Sequence, residues 1–226
     1  MEAAAKPVIK VAALCGSLRK GSYNRGLLRS GNNLTSRLLR TLSRIEVDLR
    51  LFCVFQFFFF IAIQIGNESV NGMQIEYIDI APLPMLNTDL EVGGTYPPAV
   101  EAFRQKILEA DSVLFASPEY NYSVTGPLKN AIDWASRPPN VWANKAAAIV
   151  SAGGGFGGGR SQYHLRQIGV FLDLHFINKP EFFLNVFQPP AKFDSEGTLT
   201  DVATQEKLKE VLLALQAFTL RLQGKC

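Results

Sequence analysis

Short apolar runs alternate with amphipathic segments along most of the chain. The runs have the length of β-strands. Each is followed by a polar or glycine-rich turn and then by apolar residues at helical spacing. The predicted strands are residues 8–14, 73–79, 112–116, 145–151 and 176–186. The predicted helices begin near residues 24, 97, 127, 161 and 200.

The character of the strands indicates how the sheet is built. Residues 8–14 are nearly all apolar, as in a central strand covered on both faces, whereas residues 73–79 alternate apolar and polar, as at an edge. The pattern predicts an α/β fold, a flavodoxin-like three-layer doubly wound sandwich with a five-stranded parallel sheet. We expect a single domain over residues 1–226, because no linker or internal repeat divides the chain.

One stretch, at about residues 31–66, interrupts this pattern. Gly31-Asn32-Asn33 breaks the first helix, a basic leucine-rich segment follows, and residues 51–65 form an apolar run with two glutamines. Three interpretations remain open: a buried core element, a membrane-associating hairpin, and an insertion such as a retained intron translated in frame. The sequence favours the insertion, because joining Ser30 to Asn67 would restore one ordinary helix that ends at Asn71-Gly72.

Composition narrows the classes of protein to consider. The 226 residues are 47% hydrophobic, which is enough for one domain with a sizeable core. The net charge is +3 and no run of Lys and Arg occurs, which argues against a nucleic-acid partner. The start of the chain does not resemble a signal peptide, and membrane association is predicted only through residues 51–65. The scattered thiols of Cys15, Cys53 and Cys226 indicate a cytoplasmic setting and no structural zinc.

The first predicted strand leads directly into Gly16-Ser17-Leu18-Arg19-Lys20-Gly21-Ser22-Tyr23-Asn24. A tight polar turn between a strand and a helix binds anions, since the first N–H groups of a helix lack intrahelical partners and its dipole favours negative charge. Arg19 adds a guanidinium suited to phosphate oxygens. The segment is neither a Walker loop nor Gly-x-Gly-x-x-Gly, so it predicts a phosphate site without a Mg-nucleotide.

Two more unusual loops follow the third and fourth predicted strands. Residues 117–126 are rich in Tyr, Pro and Asn, and residues 153–160 are mostly glycine. Because ligands of open α/β sheets lie at the carboxyl ends of the strands, the three loops together predict a mononucleotide with a planar ring, such as a flavin. Three interpretations of Glu119 stay open: it holds the loop, it contacts another subunit, or it is a solvated acid. Tyr120 either lines the ring or packs against the protein.

Residues 16–24, 117–121 and 126–134 resemble the NADPH-dependent FMN reductase family, and especially its plant NADPH:quinone oxidoreductases. The resemblance implies non-covalent FMN, hydride taken from NADPH or NADH, and two-electron reduction of a quinone in a ping-pong cycle. It also implies a homo-oligomer, a dimer or a homotetramer. No catalytic side chain is expected, because FMN would carry the chemistry.

The resemblance also implies a set of FMN-binding residues: Ser17, Arg19, Ser22, Tyr23, Asn24, Pro118, Glu119, Tyr120, Asn121, Ser151, Gly153 and Gly154. Ser17, Arg19, Ser22 and Asn24 would hold the phosphate, and residues 118–121 would line the isoalloxazine ring. Ser151, Gly153 and Gly154 would complete the cradle. The alternatives are a flavodoxin-like electron carrier and an inactive splice-type variant of the reductase, in which residues 31–66 disturb the first helix.

Overall fold

The computed structural model describes residues 8–33, 35–36, 67–68, 70–195 and 197–225. The strands are β1 (Ile9–Cys15), β2 (Thr35–Ser36), β3 (Asn67–Glu68), β4 (Met73–Ile78), β5 (Ser112–Ala116), β6 (Lys145–Gly153), β7 (Leu174–Phe176) and β8 (Phe183–Asn185). The helices are α1 (Tyr23–Asn33), α2 (Pro98–Glu109), α3 (Gly126–Ser136), α4 (Gly159–Leu172) and α5 (Val202–Leu222), with a short 3-10 turn at Thr88–Leu90.

The main sheet is parallel and has the order β4-β1-β5-β6-β7, with β8 also paired to β6. This confirms the predicted five-stranded doubly wound sheet and the edge position of β4. The fifth position differs from the single strand predicted over residues 176–186. There β7 pairs with the first three residues of β6 and β8 with its last three. Pro180 lies between β7 and β8 and cannot donate to a ladder, which accounts for the division.

Apolar cores fill both faces of the sheet. Along β1, Ile9, Val11 and Ala13 face the core beneath α1 and α5, whereas Ala12 and Leu14 face the core beneath α2, α3 and α4. Burial on both faces explains why the central strands read as almost unbroken apolar runs. The helices thus leave the carboxyl ends of the strands to the loops.

The interrupted region begins where α1 ends. The predicted break at residues 31–33 forms the last turn of α1, and β2 and β3 then pair antiparallel, Thr35 with Glu68 and Ser36 with Asn67. Residues 36 and 67 therefore lie side by side. Residues 37–66, with the apolar run 51–65, lie outside the described residues, as do the alternatives that depend on them. Among the described helices, none is long and apolar enough to cross a membrane.

Candidate functional site

Three loops meet at the carboxyl edge of the sheet, because β1, β5 and β6 are neighbours. Main-chain hydrogen bonds join the strand ends: the Gly16 N–H donates to Ala116 O (3.0 Å), and the Ser117 N–H donates to Val150 O (3.0 Å). We call residues 16–22 the first loop, 117–125 the second loop and 153–158 the glycine loop. The sequence predicted their convergence from the order of strands and loops, and the structure brings all three together.

The first loop presents the amino end of α1. The side chains of Ser17 and Ser22 are buried in it, and the Ser22 N–H donates to Arg19 O (3.1 Å). No acidic side chain lies in the first turn of α1, so no carboxylate of that turn competes for its positive end. Arg19 is exposed, and its guanidinium lies 5.6 Å from the ring centroid of Tyr23. Helix N–H groups, hydroxyls and a guanidinium together suit a phosphate.

Asn24 connects this helix to the sheet. Its amide Nδ2 donates to Ala152 O (2.8 Å), and its Oδ1 accepts from the Ala152 N–H (2.9 Å), with both bonds buried. The contact with a phosphate expected for Asn24 stays a prediction, since its amide is already engaged with the main chain of β6. No local pattern around Asn24 indicates this partner, which lies 128 residues away.

Thr125 joins the first loop to the second. Its Oγ1 donates to Gly16 O (2.6 Å) and accepts from the Leu128 N–H (3.4 Å), which caps α3. A Cβ on Gly16 would lie only 2.9 Å from Thr125 Oγ1 and 3.0 Å from Cδ of Pro118, so this close approach requires glycine. Sequence reasoning missed Thr125, although a threonine before Gly-Pro at a helix start is a recognisable cap.

The second loop turns back on itself in a two-residue hairpin. Tyr120 and Ser123 exchange two main-chain hydrogen bonds (3.1 and 3.0 Å), and φ is +51° at Asn121 and +65° at Tyr122. Two successive positive φ values are those of a type I′ turn, which is unusual for a tyrosine. The turn directs Tyr120 and Tyr122 outward, with 55% and 66% of their surface exposed, so neither is a core packing residue.

Glu119 fastens the second loop to α4. Its two carboxylate oxygens accept from the Arg160 N–H (2.9 Å) and from the Arg160 guanidinium (3.0 Å). Of the open interpretations for Glu119, the structure shows the one in which it holds the loop. The same guanidinium lies over the rings of Tyr122 (4.1 Å) and Phe156 (5.0 Å). Arg160 was not among the predicted site residues, although it directly follows the glycines.

The glycine loop packs too tightly for side chains. Gly157 and Gly158 have φ of +59° and +86°, and a Cβ on Gly158 would lie 2.7 Å from Cβ of Ser151. The Ser151 hydroxyl donates to Gly157 O (2.6 Å), so it faces the loop's own main chain. Gly154 lies beside the exposed ring of Phe187, and a Cβ built on Gly154 would lie 3.7 Å from the nearest ring carbon.

Cys15 lies beneath the first loop and is fully buried. Burial raises the pKa of its thiol, although the Ser17 N–H donates to Sγ (3.4 Å) and the positive charges of Arg25 and Arg29 favour the thiolate. The thiol is therefore uncharged at neutral pH and adds no negative charge under the anion site. No group of three or more metal-ligating side chains occurs in the described part of the chain.

The three loops offer different groups to the two ends of a ligand. The first loop offers a phosphate its donors, while the second loop and the glycine loop offer exposed aromatic rings and main chain free of bulky side chains. Such a site can bind and orient a mononucleotide with a planar ring.

Comparisons with known proteins agree with this geometry. Residues 9–188 match the model of the NADPH-dependent FMN reductase family. An NAD(P)H:quinone oxidoreductase of Solanum tuberosum is 68% identical, with 99% of each chain covered, and an NADPH:quinone oxidoreductase of Arabidopsis thaliana is 68% identical, with 98% of this chain and 97% of that protein covered. The structure of FerB, a flavoenzyme NAD(P)H:(acceptor) oxidoreductase from Paracoccus denitrificans, superposes with a TM-score of 0.68 at 26% identity, covering 96% of this chain and 99% of that chain. The chain belongs to the NADPH-dependent FMN reductase family.

Proposed function

We propose that this protein is an FMN-dependent NAD(P)H:quinone oxidoreductase. The observation that carries the proposal is the meeting of the amino end of α1 with the second loop and the glycine loop at one edge of the sheet. The named activities of relatives that align with nearly the whole chain support the same function.

The residues of the three loops would divide the binding of FMN between them. Ser17, Ser22 and Arg19 would hold the phosphate with hydroxyls, helix N–H groups and a guanidinium, and Tyr23 would flank it, its ring packed 4.8 Å from Phe193. Bound FMN would supply the redox chemistry, taking a hydride from NADPH or NADH and giving two electrons to a quinone in a ping-pong cycle.

The ring would lie between the other two loops. Pro118, Tyr120 and Asn121 would line one side, and Gly153 and Gly154 the other, where small residues allow main chain to approach a flat heterocycle. Glu119 and Ser151 would act from behind these surfaces, because their polar atoms already bond to Arg160 and Gly157. The described residues would therefore position the ring and leave an open face for the two substrates.

The test is to add FMN to the purified full chain, remove unbound flavin, and record the flavin absorbance. We expect NADPH to bleach the flavin and a benzoquinone to restore it, with parallel double-reciprocal plots in steady state. Bound flavin that NADPH does not bleach would instead identify an electron carrier. A chain that folds and stays colourless would identify an inactive variant.

We also propose a homo-oligomer, and specifically a tetramer. The outer face of α4 supports an oligomer, because Tyr163, Val170 and Phe171 are exposed there at 47%, 82% and 85%. Light scattering coupled to gel filtration should give four times the chain mass of 24.9 kDa. Phe171→Glu should lower that mass, and a wild-type protein that elutes as a monomer would contradict the proposal.

We propose the cytoplasm as the place of action. The free thiol of Cys15, buried within the core, is compatible with a reducing compartment such as the cytoplasm. Fractionation of the source cells, with the protein followed by antibody, should recover it with cytoplasmic markers. Recovery with salt-washed membranes would contradict this location.

A further inference from the structure

Gln162 lies in the first turns of α4, beneath the glycine loop, and is only 1% exposed. Its Nε2 donates to Ser151 Oγ (2.8 Å) and to Phe182 O (2.8 Å). Its Oε1 is buried without a hydrogen-bond partner among the described residues. A methionine of similar length would lose both donated bonds, but it would also remove this costly unpaired acceptor, and Phe182 O would keep its bond from the Ser151 N–H (3.2 Å), so stability alone does not require glutamine here.

The amide of Gln162 determines what the Ser151 hydroxyl does. A hydroxyl has one proton to donate, and Ser151 Oγ already accepts from Gln162. Of the two remaining acceptors, Gly157 O at 2.6 Å is far nearer than Phe182 O at 3.5 Å, so the proton is directed at Gly157 O. Bonds in such a chain polarise one another, so the Ser151–Gly157 bond depends on the amide behind it.

The chain of hydrogen bonds continues into the predicted flavin cradle. The Gly157 N–H donates to Gly154 O at 2.7 Å, and Gly157 itself is in the left-handed region. Glycines have little conformational preference of their own, so hydrogen bonds must fix the peptide planes of this loop. The sequence of bonds from Gln162 through Ser151 and Gly157 thus ends at Gly154, whose main chain borders the site.

We propose that Gln162 is a positioning residue of the flavin site, which orients the glycine loop through the Ser151 hydroxyl. The part that concerns FMN rests on the proposed function, whereas the ordering of the loop is a property of the protein without ligand. The side chain touches neither cofactor nor substrate. Its role is to hold the main chain of residues 153–158 in one conformation before the ring arrives.

The test compares Gln162→Met with Gln167→Met, a matched change at an exposed position of the same helix. In the ligand-free proteins, hydrogen exchange of peptides covering residues 153–159 should be at least about tenfold faster in Gln162→Met and unchanged in the control. The dissociation constant for FMN should rise about tenfold, and the flavin midpoint potential should shift, with the thermal midpoint nearly unchanged.

Ser151→Ala breaks the same path one bond later and serves as the second variant if Gln162→Met does not fold. It should speed exchange in the same peptides, and the double variant should exchange no faster than either single variant. Unchanged exchange in Gln162→Met, or additive effects in the double variant, would overturn the proposal. Failure of the wild-type chain to bind FMN would contradict the proposed function, and the exchange comparison would still decide the role of Gln162.

Discussion

Replacing Asn24 by alanine separates two roles that this residue could have. If its amide connects α1 to β6, the ligand-free protein should lose stability. If it is a phosphate ligand, the loss should fall on FMN affinity alone. The structure gives the amide two buried hydrogen bonds to the main chain of Ala152, so we expect the first result.

The size of the effect follows from what alanine leaves behind. Two hydrogen bonds disappear, and the N–H and C=O groups of Ala152, a residue only 4% exposed, are left without these partners. Removing the partner of a buried group costs about 1–3 kcal/mol, a figure that already includes the lost bond, so stranding two groups at about 1.5 kcal/mol each should lower the free energy of unfolding by roughly 3 kcal/mol. In a protein of this size, the thermal midpoint should fall by about 6–12 °C.

Arg19→Ala is the matching opposite case. Arg19 is exposed, so its removal should leave the ligand-free thermal midpoint unchanged. Loss of a charged hydrogen bond to phosphate should raise the dissociation constant for FMN about 10- to 100-fold. Calorimetry of the ligand-free variants and FMN titration give both quantities. An Asn24→Ala protein that melts like wild type and binds FMN weakly would refute the structural role assigned to Asn24.

Four further results are expected. Thr125→Ala should lower the thermal midpoint by several degrees, because the variant loses the cap of α3 and the bond to Gly16 O. Thr125→Ser keeps a hydroxyl and should retain most of the wild-type midpoint. Equal melting of the two variants would contradict this role. Because Cys15 is buried and burial raises the pKa of its thiol, iodoacetamide should modify it only in denaturant, as mass mapping of the peptide that holds Cys15 will show; modification of that peptide in the native protein would contradict this. Arg104→Met should destabilise the protein by about 3 kcal/mol in urea unfolding, because a buried guanidinium that donates to three main-chain carbonyl groups is lost; a change below about 1 kcal/mol would argue against it. A chain that lacks residues 31–66 should bind FMN within about threefold of the full chain in a fluorescence titration, and a larger difference would tie the site to that segment.

The order of strands and helices could be predicted because both periodicities are local. Residues 112–116 were predicted as a strand and form β5, and residues 8–14 differ from β1 by one residue at each end. Alternation and helical spacing reflect which side of an element is buried, so they are visible in short windows. The predicted meeting of three loops needed only the rule that parallel strands share their carboxyl edge.

The hydrogen bonds that shape the site could not be predicted in the same way. Asn24, Thr125 and Glu119 bond to partners 128, 109 and 41 residues away, and no local pattern specifies such a partner. Gln162 occupies an ordinary helical position in sequence and becomes informative only when its burial is known. The division of the fifth strand was also missed, because an apolar run with one proline is compatible with either a bulged strand or two short ones.

The interrupted region does not remove what holds the anion-binding end of α1. Arg25 donates to the hydroxyl of Tyr77 (2.6 Å), Gly26 packs against the carbonyl of Gly197, and Arg29 donates to the same carbonyl (2.7 Å). These anchors and the Asn24 amide all precede the last turn of α1, and β2 and β3 pair with each other after it. The positive end of a helix acts through its first turn, so a change beyond residue 33 should leave phosphate binding intact. The described anchors of α1 therefore support the proposed reductase activity of this chain.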